Sequence, residues 1–309
     1  MLARLASSVR SRVTANSKGP EYAQTTVRQS SDRMQEARRA STLFPPQFRS
    51  VFSDFRDRSR ASRSLLADDV PPRPAFPVTD LHVHLSPQLS IEQALQLGKE
   101  RQVSLGILEH PGPGYRIQTD SDLQQYIDGL RKYPVLVGLQ PVYPGWSKSF
   151  SKGTVDHLDY VLMDALTLPR PDGSFLAIWQ IDTMVDDEEA FMAGYMNFIE
   201  QILSSEPMDI FGWPTFLPVP IARHYAKLWT PARVNRIIEL AHARKIAIEI
   251  NEVAHVPDEN FVLAAKRADL KFTFGTDSRN QNAAHFYYCY QMAQKCGLTA
   301  ADMFTPKRK

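Results

Sequence analysis

From residue 78 onward, short apolar runs alternate with longer stretches whose apolar positions recur at helical spacing, the rhythm of strand and amphipathic helix in turn. The runs predict strands over Val78 to Leu85, Ser104 to His110, Val135 to Val142, Tyr160 to Leu168, Asp209 to Phe216, Ala247 to Glu252 and Lys271 to Asp277. Helix starts are marked between them. Ser90-Ile91-Glu92-Gln93 and Ser121-Asp122-Leu123-Gln124 read as capping boxes, and Thr230-Pro231 pairs an N-cap with proline at the first helical position. The last helix, about Ala283 to Lys295, closes at Gly297. Seven strand-helix repeats in one α/β domain predict a closed or nearly closed parallel barrel. Polar residues at almost every strand end favour a barrel over a doubly wound open sheet, because barrel sites collect groups from many strands.

The chain before this domain has another character. Arg4, Arg10, Arg12 and Lys18 lie among Ser, Ala and Val with no acid before Glu21, and Arg38-Arg39 and the run Arg56 to Arg63 keep arginine and serine content high. Residues 1–75 therefore read as a basic Arg/Ser-rich extension, partly disordered or helical, and residues 76–309 as the barrel. A transit peptide leading to an organellar matrix is the alternative to a cytoplasmic protein. Phe44, Phe48, Phe52 and Phe55 recur at helical spacing, and Pro71-Pro72-Arg73-Pro74 reads as a stiff connector.

Composition narrows the function classes. With 309 residues and 43% hydrophobic content, the chain can bury a substantial core. A net charge of +2 is too small to argue for nucleic acid as the main partner, and no apolar run reaches bilayer length. Cys289 and Cys296 stand two helical turns apart without CxxC spacing, as buried thiols of a reducing compartment would. The oligomeric state stays open.

The candidate chemistry begins at Asp80-Leu81-His82-Val83-His84-Leu85. Alternation along a strand projects His82 and His84 from one side, as two imidazoles gripping one metal ion require, and turns Leu81, Val83 and Leu85 the other way. Further along, His110, Gln140, Asp164, Trp213, Glu249 with Asn251, and Asp277 with Arg279 close the successive strands. In a parallel barrel these ends share one rim, and three of the chain's 8 histidines at such positions point to a site for zinc, manganese or iron. Tyr115, Arg116, Trp146, Arg223 and Lys227 fall in loops that overhang that rim, and His224 follows the fifth strand. The aromatic run Phe286-Tyr287-Tyr288-Tyr290 reads as helix packing.

The pattern of Asp80-Leu-His82-Val-His84, Gly106-Ile-Leu-Glu109-His110, Val-Gly138-Leu-Gln140, Leu158-Asp-Tyr-Val-Leu, Asp209-Ile-Phe-Gly-Trp213-Pro214, Ile248-Glu249-Ile-Asn251 and Phe274-Gly-Thr-Asp277 resembles the polymerase and histidinol phosphatase (PHP) family. The resemblance spans Asp80 to the C-terminus. It implies a distorted (β/α)7 TIM-like barrel and a metal-dependent hydrolase, with His82, His84, His110 and Asp277 as ligands. Gln140 stands where the family places a glutamate, Leu166 where it places a histidine, Trp213-Pro214 for His-Pro and Asp277-Ser278-Arg279 for Asp-x-His. One metal ion is expected, or two, rather than three. Pro214 to Pro218, Leu228 to Pro231 and Met303 to Pro306 are similar to a divergent, uncharacterised bacterial branch of that family.

The expected activity is hydrolysis of a phosphoester in a small anionic substrate by an activated water. Asp164, Glu249 and Arg279 are the candidate catalytic groups, and Gln140, Trp213, Asn251, Arg116 and His224 the candidate substrate contacts. Two alternatives stand beside it. An amidohydrolase-like C–N hydrolase shares the His-x-His and the final aspartate but would need a mid-barrel lysine. A degenerate barrel binding a ligand or partner would explain Gln140, Trp213 and Arg279 at ligand positions.

Overall fold

In the computed structural model, which describes residues 70–170 and 172–309, seven parallel strands close into the barrel that the apolar rhythm predicts. They are β1 (Thr79–His84), β2 (Ser104–Leu108), β3 (Leu136–Leu139), β4 (Tyr160–Met163), β7 (Ile210–Phe211), β8 (Ala247–Asn251) and β9 (Phe272–Gly275), in the spatial order of that naming. Between β4 and β7 an antiparallel ribbon, β5 (Thr167–Pro169) with β6 (Phe175–Ala177), stands apart from the barrel. The helices are α1 (Ile91–Arg101), α2 (Asp120–Leu130), α3 (Lys152–Val155), α4 (Glu188–Ser205), α5 (Tyr225–Leu228), α6 (Pro231–Arg244), α7 (Glu259–Arg267) and α8 (Tyr288–Lys295). Their apolar faces and the outer faces of the strands form one core, from Val83 and Ile107 to Phe261 and Met292. The extension with Phe44, Phe48, Phe52 and Phe55, and any transit peptide, lie outside the described residues.

A second, smaller cluster fills the barrel: Leu81, Leu108, Tyr160, Leu162, Ile210 and Ala247. Tyr160 reaches from β4 across the interior and donates its hydroxyl to the Leu81 carbonyl at 2.9 Å. That crossing requires glycine opposite. A Cβ at Gly106 would stand 2.3 Å from the Tyr160 oxygen, and one at Gly138 would stand 2.4 Å from its Cζ. Strict alternation places Leu81 with Val83 on the outer face. The register against β2 shifts between Asp80 and Val83, so Leu81 joins the interior cluster while Val83 stays in the outer core.

The elements depart from the apolar pattern where polar groups intervene. The Tyr160 to Leu168 run breaks at Asp164, whose Oδ1 accepts from Leu166 N at 2.9 Å, and Leu166 turns into the outer core. The run from Asp209 stops at Phe211, because Trp213 adopts φ +49°. The second capping box belongs to Thr119 and Asp122, with Thr119 Oγ1 accepting from Asp122 N and the Asp122 carboxylate accepting from Thr119 N. The helix expected from Ala283 begins at Tyr288, since Ala284 has φ +63°. The Ser90 box and the Thr230 cap form as read. Phe286 and Tyr290 pack on Phe274, and Cys289 and Cys296 are buried free thiols. Among the described residues no helix is long and apolar enough to cross a membrane. Arg73 in the proline-rich connector donates to the carbonyls of Arg101 and Gln102 at the end of α1.

Candidate metal centre

β1 carries the centre's two buried imidazoles. His82 Nδ1 contacts Glu249 Oε1 of β8 at 2.6 Å, which turns Nε2 toward Gln140 Oε1 at 3.1 Å and Asp277 Oδ1 at 3.3 Å. His84 Nε2 is buried, makes no hydrogen bond and lies 3.4 Å from the same Asp277 oxygen. The loop after β9 brings that carboxylate in. His84 N donates to the Ser278 carbonyl at 3.0 Å, and Asp277 holds φ +43°, a left-handed conformation that Asp tolerates better than most residues.

Asp80 anchors the arrangement from behind. Its carboxylate accepts from Thr276 N at 3.0 Å, Thr276 Oγ1 at 2.6 Å, Ala284 N at 2.8 Å and His82 N at 3.2 Å, tying β1 to the loop after β9. Burial nonetheless raises its pKa to about 6. Nothing local in the sequence marks this role of Asp80, because its partners Thr276 and Ala284 lie 196 and 204 residues away.

One oxygen and two imidazole nitrogens, from β1 and the far end of the chain, lie within 4.8 Å of one another. Ligands about 2.0–2.1 Å from a tetrahedral ion stand about 3.3–3.4 Å apart, the separations that Asp277 Oδ1 keeps from both nitrogens. The orphaned His84 nitrogen needs a partner that accepts its lone pair. Burial, reinforced by the Arg279 charge, holds the His84 pKa well below the ordinary imidazole value, so the ring is neutral at neutral pH and one of its two nitrogens has a lone pair to offer. At His82 burial acts downward too, but the charges of Glu249 and Asp277 outweigh it and raise the pKa to about 9. Its proton is the one an ion would displace. The residues present therefore could hold a metal ion.

The other candidates fall at different distances from this group. His110 is not part of it. Its Nδ1 donates to the Gln140 carbonyl at 3.0 Å, its Nε2 faces Arg279 Nη2 at 3.4 Å, and its ring stacks on His84 at 4.8 Å. Burial lowers its pKa to about 4. Gln140 belongs to the centre, with its amide passing from His82 to Asp164 Oδ2 at 2.8 Å. Burial raises the Asp164 pKa to about 6, opposed in part by bonds from Leu166 N and Gln140. Arg279 does not pair with Glu249; its Nη1 donates to Asp277 Oδ1 at 2.7 Å.

Five of the candidate residues take other parts than those expected. Glu249, a candidate catalytic acid, is fully buried within the barrel, where it orients His82 and accepts from Trp213 N at 2.9 Å. Trp213 takes part through that backbone N–H, while its indole packs edge-on to Phe216. Asn251 uses Oδ1 to accept from Val253 N and Ala254 N, shaping a turn. Arg116 is exposed and His224 pairs with Glu188 on α4, so neither joins the centre.

No family model matches the chain, and no curated protein does. Among solved structures, a chain of archaeal ribonuclease P determined by cryo-EM with mature tRNA is similar over 71% of this chain and 87% of that one, at 11% identity and a TM-score of 0.34. A likeness at that level carries no argument about function.

Proposed function

We propose that this chain is a metal-dependent hydrolase, a phosphoesterase acting on a small anionic substrate at the C-terminal rim of the barrel. The observation that carries the reading is the convergence of His82, His84 and Asp277, with one buried imidazole nitrogen left without a hydrogen bond. His82, His84 and Asp277 would hold a zinc, manganese or iron ion, which would supply Lewis-acid chemistry toward a phosphoryl oxygen and a water. The chain's own groups do the rest. Glu249 holds His82 with Nε2 toward the centre, and Asp164, with a pKa of about 6, can accept a proton near neutrality. Arg279, its side chain 47% exposed, presents a guanidinium to an incoming anion.

One observation favours a second reading. Arg279 already holds the Asp277 oxygen that would bind the ion, as in a barrel that binds a ligand or partner without turnover. Protein purified without chelator is assayed for bound transition metal and screened on phosphomonoesters, phosphodiesters and amides. The proposal expects about one equivalent of metal, lost on His82→Ala and His84→Ala, and turnover of phosphate esters. Turnover of amides alone would replace the reaction class. Less than about half an equivalent, unchanged in both variants, would favour the binding barrel.

A further inference from the structure

The loops after β2 and β3 and the ribbon after β4 carry aromatic side chains that run outward from His110, next to the candidate metal centre. The His84 ring stacks on His110 with planes 24° apart, and His110 lies 5.0 Å from the ring of Tyr115. Tyr143 in the next loop packs on Phe175 of β6 at 4.7 Å. Gly112, on the Tyr115 loop, is close enough that a Cβ there would stand 3.7 Å from the Tyr143 ring. The Tyr115 hydroxyl lies in the field of Tyr143, Asp164, Glu109 and Arg279. Tyr115 and Tyr143 are half-buried and Phe175 is 44% exposed, so ring surface stays open.

A small anion alone would use Arg279 and leave these rings idle. Rigid aromatic surface next to a cation is the arrangement that holds a flat, unsaturated group joined to an anion. We propose that the ligand of this site carries a planar unsaturated ring beside its anionic group, with the ring against Tyr115, Tyr143 and Phe175 and the anion at Arg279. This rests on reading the His82, His84 and Asp277 end of the barrel as the ligand site, and it needs binding rather than turnover.

Benzylphosphonate and cyclohexylmethylphosphonate share charge and length, and neither has an ester bond to hydrolyse. Each is titrated calorimetrically into the full chain loaded with zinc. The expected result is tighter binding of the benzyl compound, about three- to tenfold. Tyr143→Leu and Phe175→Ala should bring the ratio close to one while zinc content is unchanged. Equal affinities in the parent protein, a preference for the saturated ring, or no measurable binding of either compound would overturn the inference. The two proposals fail separately. A benzyl preference in a protein that turns over no phosphate ester supports the inference and removes the hydrolase reading, whereas turnover of alkyl phosphates with equal phosphonate affinities does the reverse.

Discussion

Glu249 and Asn251 alternate onto one face of β8, yet one steadies an imidazole and the other folds a turn. The difference is depth in the barrel, which alternation does not encode. Two glycines do encode it. A Cβ at Gly275 on β9 would stand 2.0 Å from Glu249 Oε1, and one at Gly212 would stand 3.3 Å from Oε2, so Glu249 occupies space that any larger neighbour would close. Gly275 and Gly212 were visible beside Asp277 and Trp213, but their meaning needs the strand order. Gln140 and Asp164 were legible as strand-end polar groups. Their hydrogen bond was not, because it crosses between strands. Glu249→Gln keeps the shape and removes the charge that holds His82. It should weaken zinc binding by about 10- to 100-fold with the far-UV spectrum unchanged. Competition against a chelator of known affinity measures this, and an unaltered affinity would refute the orienting role.

At the scale of elements, local signals placed strand and helix better than they placed their ends. The Ser90 and Thr230 caps involve residues three apart, so the sequence displays both partners. The start of α8 does not work this way. Glu252, at the end of β8, accepts from Tyr287 N at 2.9 Å and Tyr288 N at 3.1 Å through Oε1, and from Cys289 N at 3.0 Å through Oε2. A carboxylate more than thirty residues away thus replaces the local cap, and the expected start at Ala283 could not anticipate it. Helix N-termini favour negative charge, so Glu252→Gln loses both an acceptor and a favourable field. The substitution should destabilise the fold by about 1–3 kcal/mol in urea titrations and leave zinc content unchanged. A shift below about 0.3 kcal/mol would mean that α8 is held by packing alone.

For the whole molecule, the closed barrel was readable because seven apolar runs each end in polar residues, a pattern that one open sheet does not need. The ribbon of β5 and β6 was not readable, since its short strands leave no period distinct from the run before them. What closure accomplishes is convergence. Pairing of β1 with β9 brings Asp277 beside His82 and His84 across nearly two hundred residues of chain. The direct test is X-ray absorption at the zinc edge on full-length protein holding one equivalent of zinc. The account predicts two imidazole nitrogens and a carboxylate oxygen about 2.0–2.2 Å from the ion, with imidazole scattering reduced in His84→Ala. An all-oxygen shell, or a spectrum identical in parent and His84→Ala proteins, would contradict it.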